Sequence, residues 1–449
     1  MSYIPQNVAS VLEIFAPCFS QPTFERMVML CLSAILTTGV RTVSNLVRTI
    51  RELVPGHPTT YHHVFSDRKW NCWKLSRVLM VLLIDRFVPT GVIHLVGDDT
   101  TAAHPGKTVF GKGRHRDAAR SSHSFTAWIY GHKWVTLSLV VKFPFSKRPW
   151  ALPVLVALYT TPDWDREHER RHRTPPEIME GLLAAVLHWF PHRRFQFCGD
   201  GGFGTHRLAG FAGRSVRQGR LVLISRFYAD AQLYEPAPEY QGKGRPRVKG
   251  KKLSTPSECV NRTKRRAQLS VNWYGGEKRH VSIVTGTAHW YKQGDGLVAI
   301  RWVHVKDLDG THRDEYFFTT DVEMTPAEII QSYTERWSQE TTYQEAKTNL
   351  LLGSTRCRIK NSVLREAPFL FCLYSLVMAI YASINTDGKR LFLVKWCGKQ
   401  DVTFSDALAT VRRLLWRDWI FRKADKTGSL EKISPDCQRL LLHALAPAA

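Results

Sequence analysis

The sequence lacks the features that mark secreted, zinc-binding and disulfide-rich proteins. Its nine cysteines are scattered and include no Cys-x-x-Cys pair, so neither a zinc ribbon nor a disulfide framework is indicated. The N-terminus has no basic segment followed by an apolar core and a small-residue cleavage site, which argues against a secretory signal. These absences predict a reducing, cytoplasmic location.

Long apolar runs are also scarce. Residues 367–384, APFLFCLYSLVMAIYASI, form the one candidate membrane span, and they carry no charge. Pro368, Ser375 and Ser383 dilute the run, which favours a buried core helix over a membrane-spanning one. We therefore expect no membrane partner.

Acidic residues are few relative to basic ones. The 449 residues include 39 Asp and Glu against 63 Lys and Arg, which gives a net charge of +24 and a pI of about 9.8. An excess of this size favours a polyanionic partner, and nucleic acid is the leading candidate. A basic composition would also suit an anionic membrane surface or serve solubility alone. A hydrophobic content of 44% is ordinary for a soluble globular protein with more than one domain.

Hydrophobic periodicity divides the chain into helical and strand-rich parts. Over residues 1–88, apolar residues recur at spacings of three and four, which predicts a small helical domain. Its stretch 57–73 is a candidate surface for DNA, although Trp70 and Trp73 suit a hydrophobic core equally well.

Runs of β-branched residues begin after position 90 and predict a sheet. A helix is expected between two of these strands, because Thr174 precedes two prolines and Glu177 follows three residues later, the pattern of a capping box. Strands separated by such a helix indicate a mixed α/β core.

Residues 229–315 interrupt this alternation with Pro and Gly and then with alternating β-type stretches, so we expect a β-rich insertion. Within it, positions 241–266 hold ten Lys or Arg against one Glu, a net charge of +9. Such a run is either a solvated loop or a surface for phosphates. The residues that we assign to DNA binding there are Lys249, Lys251, Lys252 and Arg265.

Carboxylates stand at the ends of two predicted strands, with Asp98 and Asp99 after the first and Asp200 after the second. Either site alone is more often a turn or a helix N-cap than a metal ligand. Together with Glu340 they form an all-oxygen donor set, which suits Mg²⁺ or Mn²⁺ rather than zinc. Paired ions of this kind clamp the attacking and leaving oxygens of a phosphodiester. A basic protein with this set is expected to cut or join nucleic acid.

Residues 332–347, SYTERWSQETTYQEAK, carry four residues at set spacing. On a helix, Tyr333, Arg336, Glu340 and Lys347 fall within a sector of about 60°. A solvated face with ion pairs would also show this pattern. The spacing resembles the signature of DDE transposases of bacterial cut-and-paste insertion sequences. A strand ending in Asp-Thr-Thr at 99–101 and one ending in Gly-Asp-Gly at 199–201 resemble the same family.

The resemblance implies an α/β fold with a ribonuclease-H-like catalytic core and a β-rich insertion, preceded by an all-helical N-terminal domain and followed by a helical tail. The expected boundaries are 1–88 for the helical DNA-binding domain, 89–228 and 316–385 for the two parts of the core, 229–315 for the insertion and 386–449 for the C-terminal region.

The resemblance also implies roles for single residues. Asp99, Asp200 and Glu340 hold two Mg²⁺ ions, for which Mn²⁺ substitutes. Asp99 is preferred to Asp98 because it directly precedes the Thr pair, and Asp98 then caps or orients its neighbour. Since successive side chains of a strand point to opposite faces, only one of the two aspartates can reach the site. Tyr333 is expected to hydrogen-bond the end DNA, and Arg336 and Lys347 to neutralise phosphates.

The implied function is that of a DNA transposase that cleaves transposon ends and joins their 3′-hydroxyls to target DNA. Its partner is double-stranded DNA, namely the terminal inverted repeats and the target. A homodimer on DNA at the bacterial nucleoid is expected. Two further interpretations stay open: a catalytically silent, transposase-derived DNA-binding protein, and a structure-selective nuclease.

Two further segments resemble parts of the family. Residues 102–123 resemble its variable loop, and their histidines (His104, His115 and His123) lack a zinc-like spacing, so they are expected to lie in a loop or to face DNA. Relatives that form DNA hairpins stack a base on an aromatic residue of the insertion. Glu315 stands where that aromatic is expected, while Tyr316 and Trp302 suit the core.

Overall fold

The structure of the protein is a computed structural model, which describes residues 4–51, 54–117, 120–216, 219–240, 242, 244–310, 312–384, 399, 401–424 and 434–446. The predicted C-terminal region 386–449 lies partly outside these residues. The helices are α1 Gln6–Glu13, α2 Gln21–Leu36, α3 Val43–Thr49, α4 Thr59–Ser66, α5 Cys72–Phe87, α6 Pro162–Glu167, α7 Pro175–Trp189, α8 His206–Val216, α9 Pro256–Arg262, α10 Pro326–Glu335, α11 Trp337–Asn349, α12 Lys360–Ile384, α13 Phe404–Ala424 and α14 Pro435–Leu445. The strands are β1 Ile93–Ala103, β2 Gly113–Arg116, β3 Trp128–Val141, β4 Trp150–Tyr159, β5 Phe195–Gly199, β6 Leu221–Arg226, β7 Leu233–Tyr234, β8 Ala267–Asn272, β9 Lys278–Lys292, β10 Gly296–Asp307 and β11 Glu315–Thr319.

The strands form a single mixed sheet in the order β2-β3-β1-β5-β6-β11-β10-β9-β7, with β4 paired to β3 and β8 to β9. Strands β1, β5 and β6 run parallel, whereas β3 is antiparallel to both β1 and β4. The predicted mixed α/β fold with helices at both ends is therefore confirmed. Strands β7 to β10, which come from segment 229–315, continue this sheet beyond β11.

Helices α1, α2, α4 and α5 pack on α12, and α3 packs on α2 and α4. Helix α12 also contacts β4 and α13. Helix α12 is long and apolar enough to cross a membrane, and 67% of its most apolar window is buried inside the protein. One such helix is weak evidence for a membrane span, and α12 is packed among other helices and β4 as a core helix is.

The expected start of α7 is confirmed. Thr174 and Glu177 form the reciprocal capping box, in which Glu177 accepts a hydrogen bond of 2.8 Å from the backbone N–H of Thr174. One element was not predicted and one prediction was wrong. Residues 59–66 form helix α4, because Tyr61, Val64 and Phe65 pack into the core. Part of the loop predicted after Asp99 is strand β2, which gains its hydrogen bonds from β3.

The segment 332–347 forms two helices rather than one. Helix α10 ends at Glu335 and α11 begins at Trp337, with Arg336 between them in right-handed helical conformation. Around this residue the backbone hydrogen bonds span three residues instead of four, which tightens the turn. The four residues predicted on one face are consequently distributed over α10, the junction and α11.

Candidate acidic site

The parallel pairing of β1 with β5 brings two carboxylates to the same level. The last paired residues are Gly97 and Gly199, and the next residues along the two strands are Asp98 and Asp200. Neighbours at one level of a parallel pair point to the same face of the sheet. Asp98 and Asp200 are therefore neighbours, as sequence patterns alone could not show.

Asp98 lies on the face of the sheet that α11 covers. Its partner on β3 is Thr136, whose hydroxyl hydrogen-bonds the hydroxyl of Tyr343 and accepts a hydrogen bond of 3.1 Å from Gln339. Because both side chains belong to α11, the helix that carries Glu340 packs on this face.

Asp99 points to the other face, as strand alternation requires. Its carboxylate pairs with the ammonium of Lys133 at 2.9 Å. The Oδ1 atom of Asp98 accepts a hydrogen bond of 2.7 Å from the backbone N–H of Asp99, so Asp98 does contact its neighbour in the way that an orienting residue would. Lys133 was missed by sequence analysis, since only the β1–β3 register places it beside Asp99.

Arg336 joins two of the acidic residues. Its guanidinium lies 3.4 Å from Oδ2 of Asp98 and 2.8 Å from Oε1 of Glu340, and its own side chain is 7% exposed. In this structure Arg336 thus neutralises carboxylates, whereas the sequence predicted a phosphate partner. A guanidinium released from these carboxylates would have the planar geometry that suits a phosphate.

The electrostatics of the two aspartates reflect their crowding. Burial, together with repulsion from Asp200, raises the pKa of Asp98 to about 7, although Arg336 opposes the change. Burial also raises the pKa of Asp99, where Lys133 opposes it. Carboxylates held this close repel one another, and a cation placed among them lowers their energy.

Tyr333 is fully buried on α10, where its ring packs against Phe317 with centroids 4.3 Å apart. Its hydroxyl has no hydrogen-bond partner among the described residues. The predicted hydrogen bond from Tyr333 to DNA therefore requires the surrounding side chains to open.

The other predicted DNA-binding residues differ in exposure. Lys347, Lys251, Lys252 and Arg265 are exposed. Lys249 instead hydrogen-bonds the hydroxyl of Tyr234 at 3.1 Å, and its ammonium lies 4.1 Å from the ring centroids of Tyr234 and Tyr291.

Several residues named from the two family-like segments turn inward. His104 and His115 are buried. His104 lies in the loop after β1, as one of the two predicted alternatives has it, whereas His115 lies in strand β2, so the prediction of a loop or DNA-facing position was wrong for His115. Trp302 is buried in the core, as its interpretation as a core residue required, and Tyr316 packs beside His304. Glu315 forms an ion pair with Arg226.

The donor set of the acidic site fits a divalent ion in chemistry but not in its present arrangement. Asp98 or Asp99, Asp200 and Glu340 supply the carboxylate oxygens that Mg²⁺ prefers. No group of three His, Cys, Asp or Glu side chains converges closely enough to hold an ion in the part of the chain that the structure describes. The guanidinium of Arg336 already lies between Asp98 and Glu340, and it must withdraw for both to bind an ion.

Comparison with known proteins gives one family match. The family described as DDE superfamily endonuclease matches residues 14–280, more than half of the chain; the matched region contains Asp98, Asp99 and Asp200 and ends before Glu340. No curated protein matches the sequence. A cryo-EM structure of the piggyBac transposase synaptic complex with hairpin DNA is similar at 10% identity, with a TM-score of 0.41, over 99% of this chain and 82% of that chain. At this TM-score the likeness carries no argument about function.

Proposed function

Because the chain belongs to the DDE superfamily endonuclease family, we propose that it is a DNA transposase that cleaves phosphodiester bonds at transposon ends and joins the 3′-hydroxyls to target DNA. The observation that carries this proposal is that Arg336 contacts both Asp98 and Glu340, and that Asp98 is next to Asp200, which directly follows the neighbouring strand. The +24 charge of the chain supports a DNA partner. A ribonuclease-H-like core and a homodimer that pairs two ends belong to the same proposal.

Asp200, Glu340 and one residue of the Asp98–Asp99 pair would hold the two metal ions. Mg²⁺ bound there, or Mn²⁺ in its place, supplies an activated water and a counter-charge for the phosphodiester. The chain's own part is to fix these carboxylates within β1, directly after β5 and on α11. Lys347, Lys251, Lys252 and Arg265, which are exposed, neutralise the phosphates of the incoming DNA.

The sequence predicted Asp99 as the first acidic ligand, whereas the geometry favours Asp98 in this role. Asp98 lies on the sheet face that α11 covers, and the Arg336 guanidinium contacts both Asp98 and Glu340. Asp99 is paired with Lys133 on the other face. We propose that Asp98 provides the carboxylate and that Asp99, through Lys133, links β1 to β3.

A catalytically silent DNA-binding protein is the second candidate function. The Arg336 guanidinium favours it, because it already compensates Asp98 and Glu340 without a metal ion. Buried pairs of this kind are costly to separate. A structure-selective nuclease would cut DNA but would not join 3′-hydroxyls to a target.

Cleavage in Mg²⁺ tests the proposal. Labelled duplexes from both flanks of the gene, which contain the element's ends, are incubated with the parent protein and Glu340→Gln; strand cleavage, joining to a plasmid and binding are scored in parallel. Glu340→Gln removes one negative charge but keeps the side-chain shape, so it should bind and not cut. Glu335→Gln is the matched control, since Glu335 lies in the same helical segment and pairs with Lys142 instead.

Each outcome distinguishes the candidates. Cleavage and joining by the parent and by Glu335→Gln, but not by Glu340→Gln, support the transposase. Binding without cleavage in Mg²⁺ or Mn²⁺ supports the silent protein. Cleavage of branched or unpaired DNA without joining supports the nuclease.

A further inference from the structure

Strands β2 and β3 place two arginines opposite two aromatic residues on one face of the sheet. In the register of this hairpin, Arg114 is opposite Tyr130 and Arg116 is opposite Trp128. Directly opposed residues of an antiparallel pair point to the same face. The side chains of the intervening pair, His115 and Ile129, therefore point to the other face, where His115 is buried.

These four residues, which we call the hairpin patch, are open to solvent. Trp128 is 48% exposed and Tyr130 is 58% exposed, and both arginines are exposed. The guanidinium of Arg114 lies 4.1 Å from the centroid of the Trp128 ring. Such a stack holds the indole in one orientation.

The surroundings of the hairpin patch are basic. Segment 104–133 contains six Lys or Arg and one Asp, a net charge of +5. Exposed aromatic rings interleaved with arginines match the requirements of an unpaired nucleic-acid strand, whose bases stack on the rings while its phosphates contact the cations. The bases of a duplex are already stacked and do not offer their faces in this way.

The hairpin patch lies on the same face of β3 as the acidic site, but His132 and Trp134, which lie between them on that face, are buried. The even-numbered residues of β3 share one face, and they run from Trp128 and Tyr130 to Thr136, the partner of Asp98. At 3.3 Å per residue, Tyr130 lies about 20 Å from Thr136.

We propose that the hairpin patch binds an unpaired DNA strand by stacking its bases on Trp128 and Tyr130. The inference rests on the proposed action on DNA, and it names a strand-specific surface outside the acidic site.

The test measures binding without catalysis. Anisotropy of a fluorescent 20-nucleotide oligo(dT), and of a 20-base-pair duplex, is titrated with the full chain in EDTA at fixed salt. The double variant Trp128→Ala, Tyr130→Ala should bind oligo(dT) about 30-fold or more weakly, and the duplex less than about 3-fold more weakly. The variant Trp128→Phe, Tyr130→Phe keeps both rings and should stay within about 3-fold of the parent. Tyr228→Ala, which removes another half-exposed ring, is the control.

The arginines give a second, independent readout. Arg114→Gln should lower the slope of log affinity against log salt by about one for oligo(dT). This measurement is valid even where the double alanine variant fails to fold.

The proposal is overturned by equal losses for oligo(dT) and duplex, or by no loss for oligo(dT). It is also overturned if the alanine variant changes only the sedimentation of the protein, because the hairpin patch is then an interface between copies. If the parent binds oligo(dT) through the hairpin patch but never cleaves DNA in Mg²⁺, the proposed transposase function is contradicted and the proposed strand-binding surface is supported. If the parent cleaves DNA and the variants bind oligo(dT) as the parent does, only the proposed strand-binding surface is contradicted.

Discussion

At the scale of single residues, Arg336 links the acidic site to the helices that carry the family-like spacing. The spacing within α10 and α11 singled out Arg336 and Glu340, which are four residues apart and therefore neighbours on any helix. The contact with Asp98 spans 238 positions, so no local pattern contains it. Tyr333 illustrates the same limit, because its burial depends on Phe317 in another strand.

The two adjacent aspartates within β1 make the sharpest test at this scale. Asp98→Asn removes a charge from the face that α11 covers, and it should lower the initial rate of Mg²⁺-dependent cleavage on the order of 1,000-fold. Asp99→Asn breaks only the pair with Lys133 and should cost less than about 10-fold. Duplex binding in EDTA checks that both variants still bind DNA. A larger loss of cleavage rate in Asp99→Asn than in Asp98→Asn would show that Asp99 is the first acidic ligand.

At the scale of elements, helix α12 carries a buried acid. Glu366 is 4% exposed and accepts a hydrogen bond from the thiol of Cys357. Burial raises the pKa of Glu366 to about 7. In the folded protein this carboxyl therefore stays protonated at pH values where it is ionised in the unfolded chain.

This raised pKa predicts a pH-dependent stability. The stabilisation is complete below the unfolded pKa of about 4.5 and is lost as pH rises through about 7, because the unfolded chain releases the proton first. Relative to the parent, Glu366→Gln should gain roughly 3 kcal/mol of unfolding free energy between pH 5 and pH 8. Urea denaturation at both pH values measures it, with the exposed Glu323→Gln as control. A difference that is the same at pH 5 and pH 8 would show that Glu366 titrates normally.

At the scale of the whole molecule, the charge of +24 predicts that DNA affinity falls steeply with salt. The basic segment 241–266 contributes unequally to this effect. Lys251 and Lys252 are exposed, whereas the ammonium of Lys249 lies between Tyr234 and Tyr291. We expect only the exposed lysines to contact phosphates.

The salt dependence of duplex binding tests this difference. Lys251→Gln and Lys252→Gln should each reduce the slope of log affinity against log salt by about one. Lys249→Gln should leave the slope unchanged, because its ammonium is held by the protein. Anisotropy titrations at four salt concentrations give the slopes. Equal reductions for all three variants would place Lys249 on the phosphates as well.

The sequence by itself determined the properties that depend on composition and on near neighbours. Net charge needs no structure, and helix starts such as the capping box of Thr174 and Glu177 involve atoms three residues apart. The main strands and the mixed α/β class followed from periodicity for the same reason, as did Asp200 directly after β5. The prediction that a strand ends at Asp98 and Asp99 was wrong, because pairing with β3 extends β1 to Ala103. The resemblance of their spacing to DDE transposases pointed toward the family that now includes this chain.

Only the tertiary structure decided which side chains meet. The register of β1 with β3 separated Asp98 from Asp99, and it placed Lys133 beside one of them. Strand β2 was not predicted, because its partner β3 lies across a loop. The hairpin patch, which depends on this pairing, was not predicted either. Contacts of this kind depend on packing between distant segments, which a local pattern does not encode.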